Sequence, residues 1–460
     1  MTDLFDLHQA AREIFSEALG SVDAGRAVRR AVRLEASDLK IVDTTFNLKD
    51  DSVGIYAVAI GKAAWPAAFA LTEILGERLT AGVITAPLIE NLRTDVVAEQ
   101  QTRVNPSLYD RWHVFKGGHP LPNRQSLDAA RAAFDLLRRA DDERALVIFL
   151  ISGGGSAMIE WPRDEQTTLE ELRKMNEVLV SCGAGIAEIN AVRRAVSAVK
   201  GGGLSARVPH CDQVSLIVSD TGAGQEAAVA SGPTFDSIGN APDAQAVISR
   251  YKLEESLPAS ILRAIKQSAP GRVLSSHDTR RKHYVLLDNM SALEAAAEAA
   301  RSRRFTVEIA RDMVEQPIAD GCSQLLSRLF DLRRRTEGNI VCLISGGEFA
   351  CPVRGRGIGG RNVESALRWA IELNRLGNQS SPVHTVTLSA GTDGIDGNSP
   401  AAGAIADETT VERARSIHLD ASHFLAASNA YSFFRALDDL ILSGETGTNV
   451  RDLRVMLAVP

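Results

Sequence analysis

Aromatic residues are scarce in this chain, at 5% of 460, and cysteine is scarcer still. The five cysteines (Cys182, Cys211, Cys322, Cys342 and Cys351) are odd in number and never spaced as CxxC. That pattern argues against a disulfide framework and supplies no thiolate metal cluster. A basic surplus is missing too: 51 Lys and Arg face 58 Asp and Glu, a formal net charge of −7. A general nucleic-acid binder is therefore not expected, although a few local cations can still hold a small anion. No apolar run approaches the roughly 20 residues that cross a bilayer. The longest compact one, 145–151, has the length of a core strand. The opening residues MTDLFDLHQAAREIF lack the basic region and apolar block of a signal peptide. Leu4, Leu7, Ala11, Ile14, Phe15 and Ala18 fall at helical spacing instead, which predicts an amphipathic docking helix. These absences together lead us to expect a soluble cytoplasmic protein with no nucleic-acid or membrane partner. Self-association is left open.

What the chain has is an ordinary globular balance, 45% apolar and 24% charged, over a length that calls for two domains. Continuous apolar or β-branched runs at 53–60, 81–86, 145–151, 215–219, 284–287, 339–344 and 383–389 read as strands. Helical periodicity occupies 127–139, 169–181, 291–302 and 362–376 between them. Unbroken apolar strands alternating with helices predict α/β domains with largely parallel sheets covered on both faces. The stretch 235–283 shows no clear strand and contains Pro242 and Pro258, so the change of domain is expected there. The expected domains are 1–240 and 241–460.

Glycines cluster where strands end. The run 145–151 leads into Ser152-Gly153-Gly154-Gly155-Ser156, and 339–344 leads into Ser345-Gly346-Gly347-Glu348. The run 215–219 leads into Asp220-Thr221-Gly222-Ala223-Gly224, and 383–389 into Ala390-Gly391-Thr392-Asp393-Gly394. Glycine costs about 0.5–1 kcal/mol in regular structure, so such runs need a reason. Backbone N–H groups at a strand-to-helix turn approach anions closely, and ligands of open α/β sheets bind beyond the carboxyl ends of strands. Neither a GxxxxGK[ST] P-loop nor a spaced GxGxxG occurs. Tight turns explain one such loop; four at strand ends indicate a polar site for an anionic ligand.

Cations lie near the same loops. Lys62 follows the strand 53–60 directly, Lys200 precedes Gly201 and Gly202, and Arg361 closes the run RGIGGR. Lys200 also has a ligand-free reading, since a cation near a helix C-terminus favours the dipole. Asp220 and Asp393 are candidate Mg²⁺ ligands or acceptors of a substrate proton. For Asp396, a turn-forming role is equally weighted.

The segments AIGKAA (59–64), GGHPLP (117–122), ISGGGSAM (151–158), INAVRRAVSAVKGGGL (189–204), SGGE (345–348), GIGGRN (357–362), AGTDGIDG (390–397) and GTNVRDLRV (447–455) run in order along the chain. Together they resemble the class II glycerate 2-kinase family, whose C-terminal part is the MOFRL domain, here at about 338–458. The resemblance implies a Rossmann-like N-terminal domain, a MOFRL-type α/β domain and a cleft between them. It further implies ATP, Mg²⁺ and phosphoryl transfer to the 2-hydroxyl of D-glycerate. Lys62 and Arg361 would stand nearest the transferred phosphate, with Asp220 and Asp393 catalytic or metal-binding. Ser152, Gly153, Gly154, Gly155, Ser156, Asn190, Lys200, Gly201, Gly202, Ser345, Gly346, Glu348, Asn362, Gly391, Thr392 and Asn449 would line the nucleotide and substrate sites. The chain departs from the family where SDVxGDD becomes Ser219-Asp220-Thr221-Gly222-Ala223-Gly224-Gln225, and where Pro400 replaces an aspartate. These losses bear on substrate choice, so a related small hydroxy acid could take the place of glycerate. Two competing functions are a hydroxypyruvate reductase, for which no dinucleotide fingerprint is apparent, and a ligand-binding homologue without turnover.

Overall fold

The computed structural model describes residues 4–48, 53–87, 110–236, 242–268, 279–377 and 384–459. The chain divides into two compact units, Ala24–Leu286 and Met1–Asp23 with Leu287–Pro460. The first unit opens with a short antiparallel meander, β1 (Val32–Glu35), β2 (Asp38–Ile41) and β3 (Thr44–Asn47). Its main sheet comprises β4 (Ile55–Ile60), β5 (Leu79–Ala86), β6 (Trp112–Lys116), β7 (Leu146–Ser152), β8 (Asp212–Val218) and β9 (Arg281–Leu287). The strand order is β6-β5-β4-β7-β8-β9, and β6 through β8 pair in parallel. Counted from β4 this is 3-2-1-4-5-6, the order of dinucleotide-binding sheets, so the Rossmann-like expectation holds. The order reverses between β4 and β7. Both strands are buried along their whole length, which is why they read as unbroken apolar runs.

Helices of this unit begin where the sequence supplies start signals. Asn123 caps Arg124–Asp142 reciprocally with Ser126, and Thr168 caps Leu169–Ser181 reciprocally with Glu171. Leu172, Leu179, Val192, Ile248 and Ile261 form a separate apolar cluster that joins Leu169–Ser181 and Ile186–Val196 to Ala244–Tyr251 and Ala259–Gln267. That packing, with β9 on the edge of the same sheet, carries the first unit to Leu286. The expected division at 240/241 thus falls inside a compact unit, because neither helix–helix packing nor edge pairing is visible as composition.

In the second unit β10 (Thr306–Ala310), β11 (Val341–Ser345), β12 (Thr385–Gly391), β13 (Gly403–Asp407), β14 (Leu440–Ile441) and β15 (Asp452–Ala458) lie in the order β10-β11-β15-β12-β13-β14. Only β10 and β11 pair in parallel; the other four pairings are antiparallel. The largely parallel expectation is corrected here, because β15 returns between β11 and β12. Those two strands still point the same way, so the loops after them share one edge of the sheet. Of the expected strand 383–389, Val383 lies outside the described residues.

The helix Leu4–Ser21 belongs to this second unit, not to the residues that follow it. Leu7, Ala11, Ile14, Phe15 and Ala18 pack with Leu293, Val386, Leu388 and Val455 in one core. Each large side chain buried there contributes about 1.5–3 kcal/mol. The docking-helix expectation is met, although the side chain of Leu4 lies outside the described residues.

Candidate active site

In the first unit, the carboxyl ends of β4 and β7 are tied together by their own turns. The Ser152 hydroxyl donates to the Ile60 carbonyl and accepts from the Ala63 N–H, both at 3.0 Å. The Lys62 N–H donates to the Gly153 carbonyl at 2.9 Å. Gly61 has φ +104°, and a Cβ on it would stand 2.4 Å from the Ser152 carbonyl oxygen, so only glycine lets the two turns meet. Next along, a Cβ at Gly153 would lie 2.0 Å from Asp220 Oδ2. A Cβ at Gly154 (φ +81°) would lie 3.2 Å from His119 Cδ2 and 3.4 Å from Lys62 Cγ. Lys62, Asp220 and His119 therefore converge on the glycine loop at the point where strand order reverses. Sequence reasoning named the first two. His119 stood in the GGHPLP segment but was assigned no role.

Beyond Gly155 the loop closes on the neighbouring 3-10 turn Glu226–Ser231. Ser156 Oγ lies 2.9 Å from Ser231 Oγ, which donates to Asn190 Oδ1 at 3.0 Å. Gly201 and Gly202 take positive φ and donate to the carbonyls of Ser231 and Gly232 at 3.2 and 2.8 Å. Asn190, Gly201 and Gly202 thus support the turn packed under the loop.

Lys200 is buried and paired with the equally buried Glu160. Burial lowers its pKa, and the Glu160 carboxylate opposes that shift. Glu160 also accepts the Ser197 hydroxyl at 2.5 Å. Lys200, expected at the ligand, thus takes part in an internal pair whose acid lies 40 residues earlier.

In the second unit, β15 begins between the ends of β11 and β12, with Asp452 in register with Gly391 and Arg454 with both Ser345 and Ser389. Arg361 starts the helix Arg361–Gly377. It holds Asp452 through two bonds, Nε at 2.7 Å and Nη2 at 3.1 Å, and Nη2 also reaches Glu348 at 2.9 Å. Burial opposes the charge on Arg361, but the carboxylates of Asp452 and Glu348 outweigh it and raise the pKa. Arg361 also lines a cavity of about 420 Å³ with Gly359, Gly360 and Asn398. Asp452 is fully buried and also accepts from Asn362 Nδ2 at 2.9 Å and Arg454 Nη2 at 3.3 Å. Neither Asp452 nor Arg454 was singled out from sequence, where charged residues made β15 look unlike a central strand.

The remaining expected residues shape this edge. Asn362 accepts from Ser389 Oγ at 2.6 Å. Asp396 accepts from the backbone N–H groups of Asn362 and Val363 at 3.1 and 2.8 Å, so its carboxylate caps the helix Arg361–Gly377 where a bond within its own turn was one of the two expected roles. Burial raises its pKa to about 7 against the pull of those N–H groups. Gly346 is pressed against Asn289, whose Nδ2 donates to the carbonyls of Val450 and Asp452 at 2.7 and 3.0 Å. Thr392 Oγ1 bonds the Arg451 carbonyl at 2.7 Å, and Asn449 Oδ1 accepts the Arg451 N–H at 3.1 Å. Asp393 Oδ1 accepts from the Ile395 N–H at 3.2 Å, and Ser345 is buried at the end of β11. Among the described residues no group of three or more His, Cys, Asp or Glu side chains is placed to hold a metal ion.

Residues 10–266 match the family described as a domain of unknown function (DUF4147), and residues 341–452 match the MOFRL family. The glycerate kinase of Rattus norvegicus is 33% identical, covering 100% of this chain and 95% of its own. The D-glycerate 2-kinase of Thermotoga maritima is 32% identical over 94% of this chain and 97% of its own. The chain belongs to the glycerate 2-kinase family. The crystal structure of the Thermotoga maritima glycerate kinase superposes with a TM-score of 0.78 at 29% identity, covering 98% of this chain and 99% of that one. A glycerate kinase fold is thus kept over nearly the full length, including the turn after β4 that carries Lys62 and the helix that Arg361 starts. No described helix is long and apolar enough to cross a membrane.

Proposed function

We propose that this protein transfers the γ-phosphoryl group of ATP to the 2-hydroxyl of D-glycerate, or of a closely related small hydroxy acid. The observation that carries the reading is the junction of Lys62 with Gly153 and Gly154 at the reversal point of a 3-2-1-4-5-6 sheet. Ligands of such sheets bind there. Phosphoryl transfer asks chiefly for positioned positive charge on the phosphoryl oxygens, and Lys62 and Arg361 are the cations we assign to that role. The glycine loop presents backbone without side chains, which suits a phosphate or carboxylate group. ATP supplies the phosphoryl group. Mg²⁺ accompanies nucleotide phosphates with only one or two protein carboxylates, a demand that Asp220 or Asp393 meets without a dedicated cage. The setting is the cytoplasm, and self-association is compatible with the reading.

The test is coupled ADP release with ATP, Mg²⁺ and a panel of small hydroxy acids, with NADH oxidation on hydroxypyruvate followed in parallel. ADP release on D-glycerate supports the full reading. Release on another acid alone moves the departures at 221–225 and Pro400 into substrate choice. NADH consumption without ADP release sinks the kinase reading.

A further inference from the structure

We propose that His119 is the general base that takes the proton from the acceptor hydroxyl. The proposal rests on the kinase reading above and adds to it a residue that reading does not use. His119 is exposed, so its ring is within reach of a substrate. Its Cδ2 and the Lys62 Cγ both lie within 3.4 Å of the point where a Gly154 Cβ would stand. The histidine thus borders the loop on the same side as the cation assigned to the phosphoryl oxygens. Asp220, the other proton acceptor at this loop, presses on Gly153 instead. Chain geometry holds His119 in place: the Gly118 N–H donates to Ser126 Oγ at 3.0 Å, and Ser126 is the residue that caps Arg124–Asp142 together with Asn123. A Cβ at Gly118 would meet the Leu121 carbonyl at 2.2 Å, so the turn carrying the histidine is tightly folded.

The chemistry suits an imidazole. A hydroxyl attacking phosphorus loses its proton as the O–P bond forms, and a base titrating near neutrality is best matched to accept it. One imidazole nitrogen takes the hydroxyl proton while the acceptor oxygen bonds to the γ-phosphorus. The bond from that phosphorus to the β–γ bridging oxygen breaks, and its electron pair leaves with the nucleoside diphosphate. The imidazolium then returns its proton to solvent.

The decisive experiment is the pH profile of ADP release for wild type and His119→Gln, with the glycerate KM measured at each pH. The expected result is a fall in kcat of about 10²–10⁴-fold with loss of the acidic limb, and little change in KM. His119→Ala with added imidazole is expected to recover part of kcat. A His119→Gln enzyme within threefold of wild type overturns the proposal and leaves the kinase reading standing. So does a large loss that keeps the wild-type acidic limb, which would make His119 a binding or positioning group. Absence of ADP release from wild type with every acid overturns both readings.

Discussion

Asp220 and Gly153 are in such close approach that a single added methyl group at Gly153 would stand 2.0 Å from the Asp220 carboxylate. The acid sits beyond β8, the glycine beyond β7, and the two strands are neighbours. Gly153→Ala must therefore displace either the loop or the acid. The expected cost is about 1–3 kcal/mol of stability, read from urea denaturation, together with a loss of turnover. In an Asp220→Ala background the same glycine change should cost much less stability. Equal costs in both backgrounds would mean that the loop, rather than the contact, absorbs the methyl group.

Lys62 and Arg361 carry the positive charge assigned to the reaction. Lys62→Ala and Arg361→Ala are each expected to lower kcat by at least about tenfold. Circular dichroism and melting temperature should show a retained fold for Lys62→Ala. Asp452 orients Arg361 through two bonds, so Asp452→Glu, which keeps the charge but lengthens the arm, should lower kcat as well. In an Arg361→Ala background that second change should have little further effect, since residues acting as one unit are not additive. Full additivity would separate Asp452 from the reaction.

Lys200 was expected at the ligand, and its place in the structure leads to a different outcome. Lys200→Met leaves Glu160 buried without its cation, a change that costs about 3–5 kcal/mol. Unfolding free energies from urea titration should fall by that amount while the KM for glycerate stays within about twofold, since the removed charge is buried and paired inside the protein. A raised KM at unchanged stability would return Lys200 to the binding site.

Asp396 gives a pH signature of definite sign. Its folded pKa is raised to about 7, whereas the unfolded chain titrates near about 4. Between those values the folded state binds the proton more, so this group's contribution to stability falls as pH rises through the window and is constant above it. Relative to wild type, Asp396→Asn should therefore be more favourable at pH 8 than at pH 5 in denaturation measurements. No difference between the two pH values would mean that the carboxylate titrates in its ordinary range.

The sequence was most readable where backbone demands are local. An apolar run followed by glycines marks a buried strand and the turn beyond it, and the loops at Gly153, Gly346 and Gly391 were found that way. Lys62 was legible for the same reason, as a cation immediately after such a strand. The pairing of Lys200 with Glu160 was not, because nothing local links residues 40 apart that meet in the interior. β15 was hidden by its own chemistry: Asp452 and Arg454 are charged, yet both are fully buried and lie 3.3 Å apart. The meander β1–β3 has strands of four residues, too short for alternation to stand out. The unit boundary at Leu286 depends on which helices pack together, which composition does not record.

The docking of Leu4–Ser21 into the second unit has a consequence for the order in which the protein is made. This helix is synthesised before the unit Ala24–Leu286, but its partners Leu293, Val386 and Val455 are all synthesised after that entire unit. The intervening unit has every strand of its own sheet in hand by Leu287 and can condense while translation continues. The first helix's apolar stripe of Leu7, Ile14 and Phe15 has no core partner until Leu293 and the rest of the helix Asn289–Ser302 emerge, and that core is complete only with β15. While the unit Ala24–Leu286 is being synthesised the nascent chain thus carries an exposed hydrophobic segment, the kind of surface that chaperones cover.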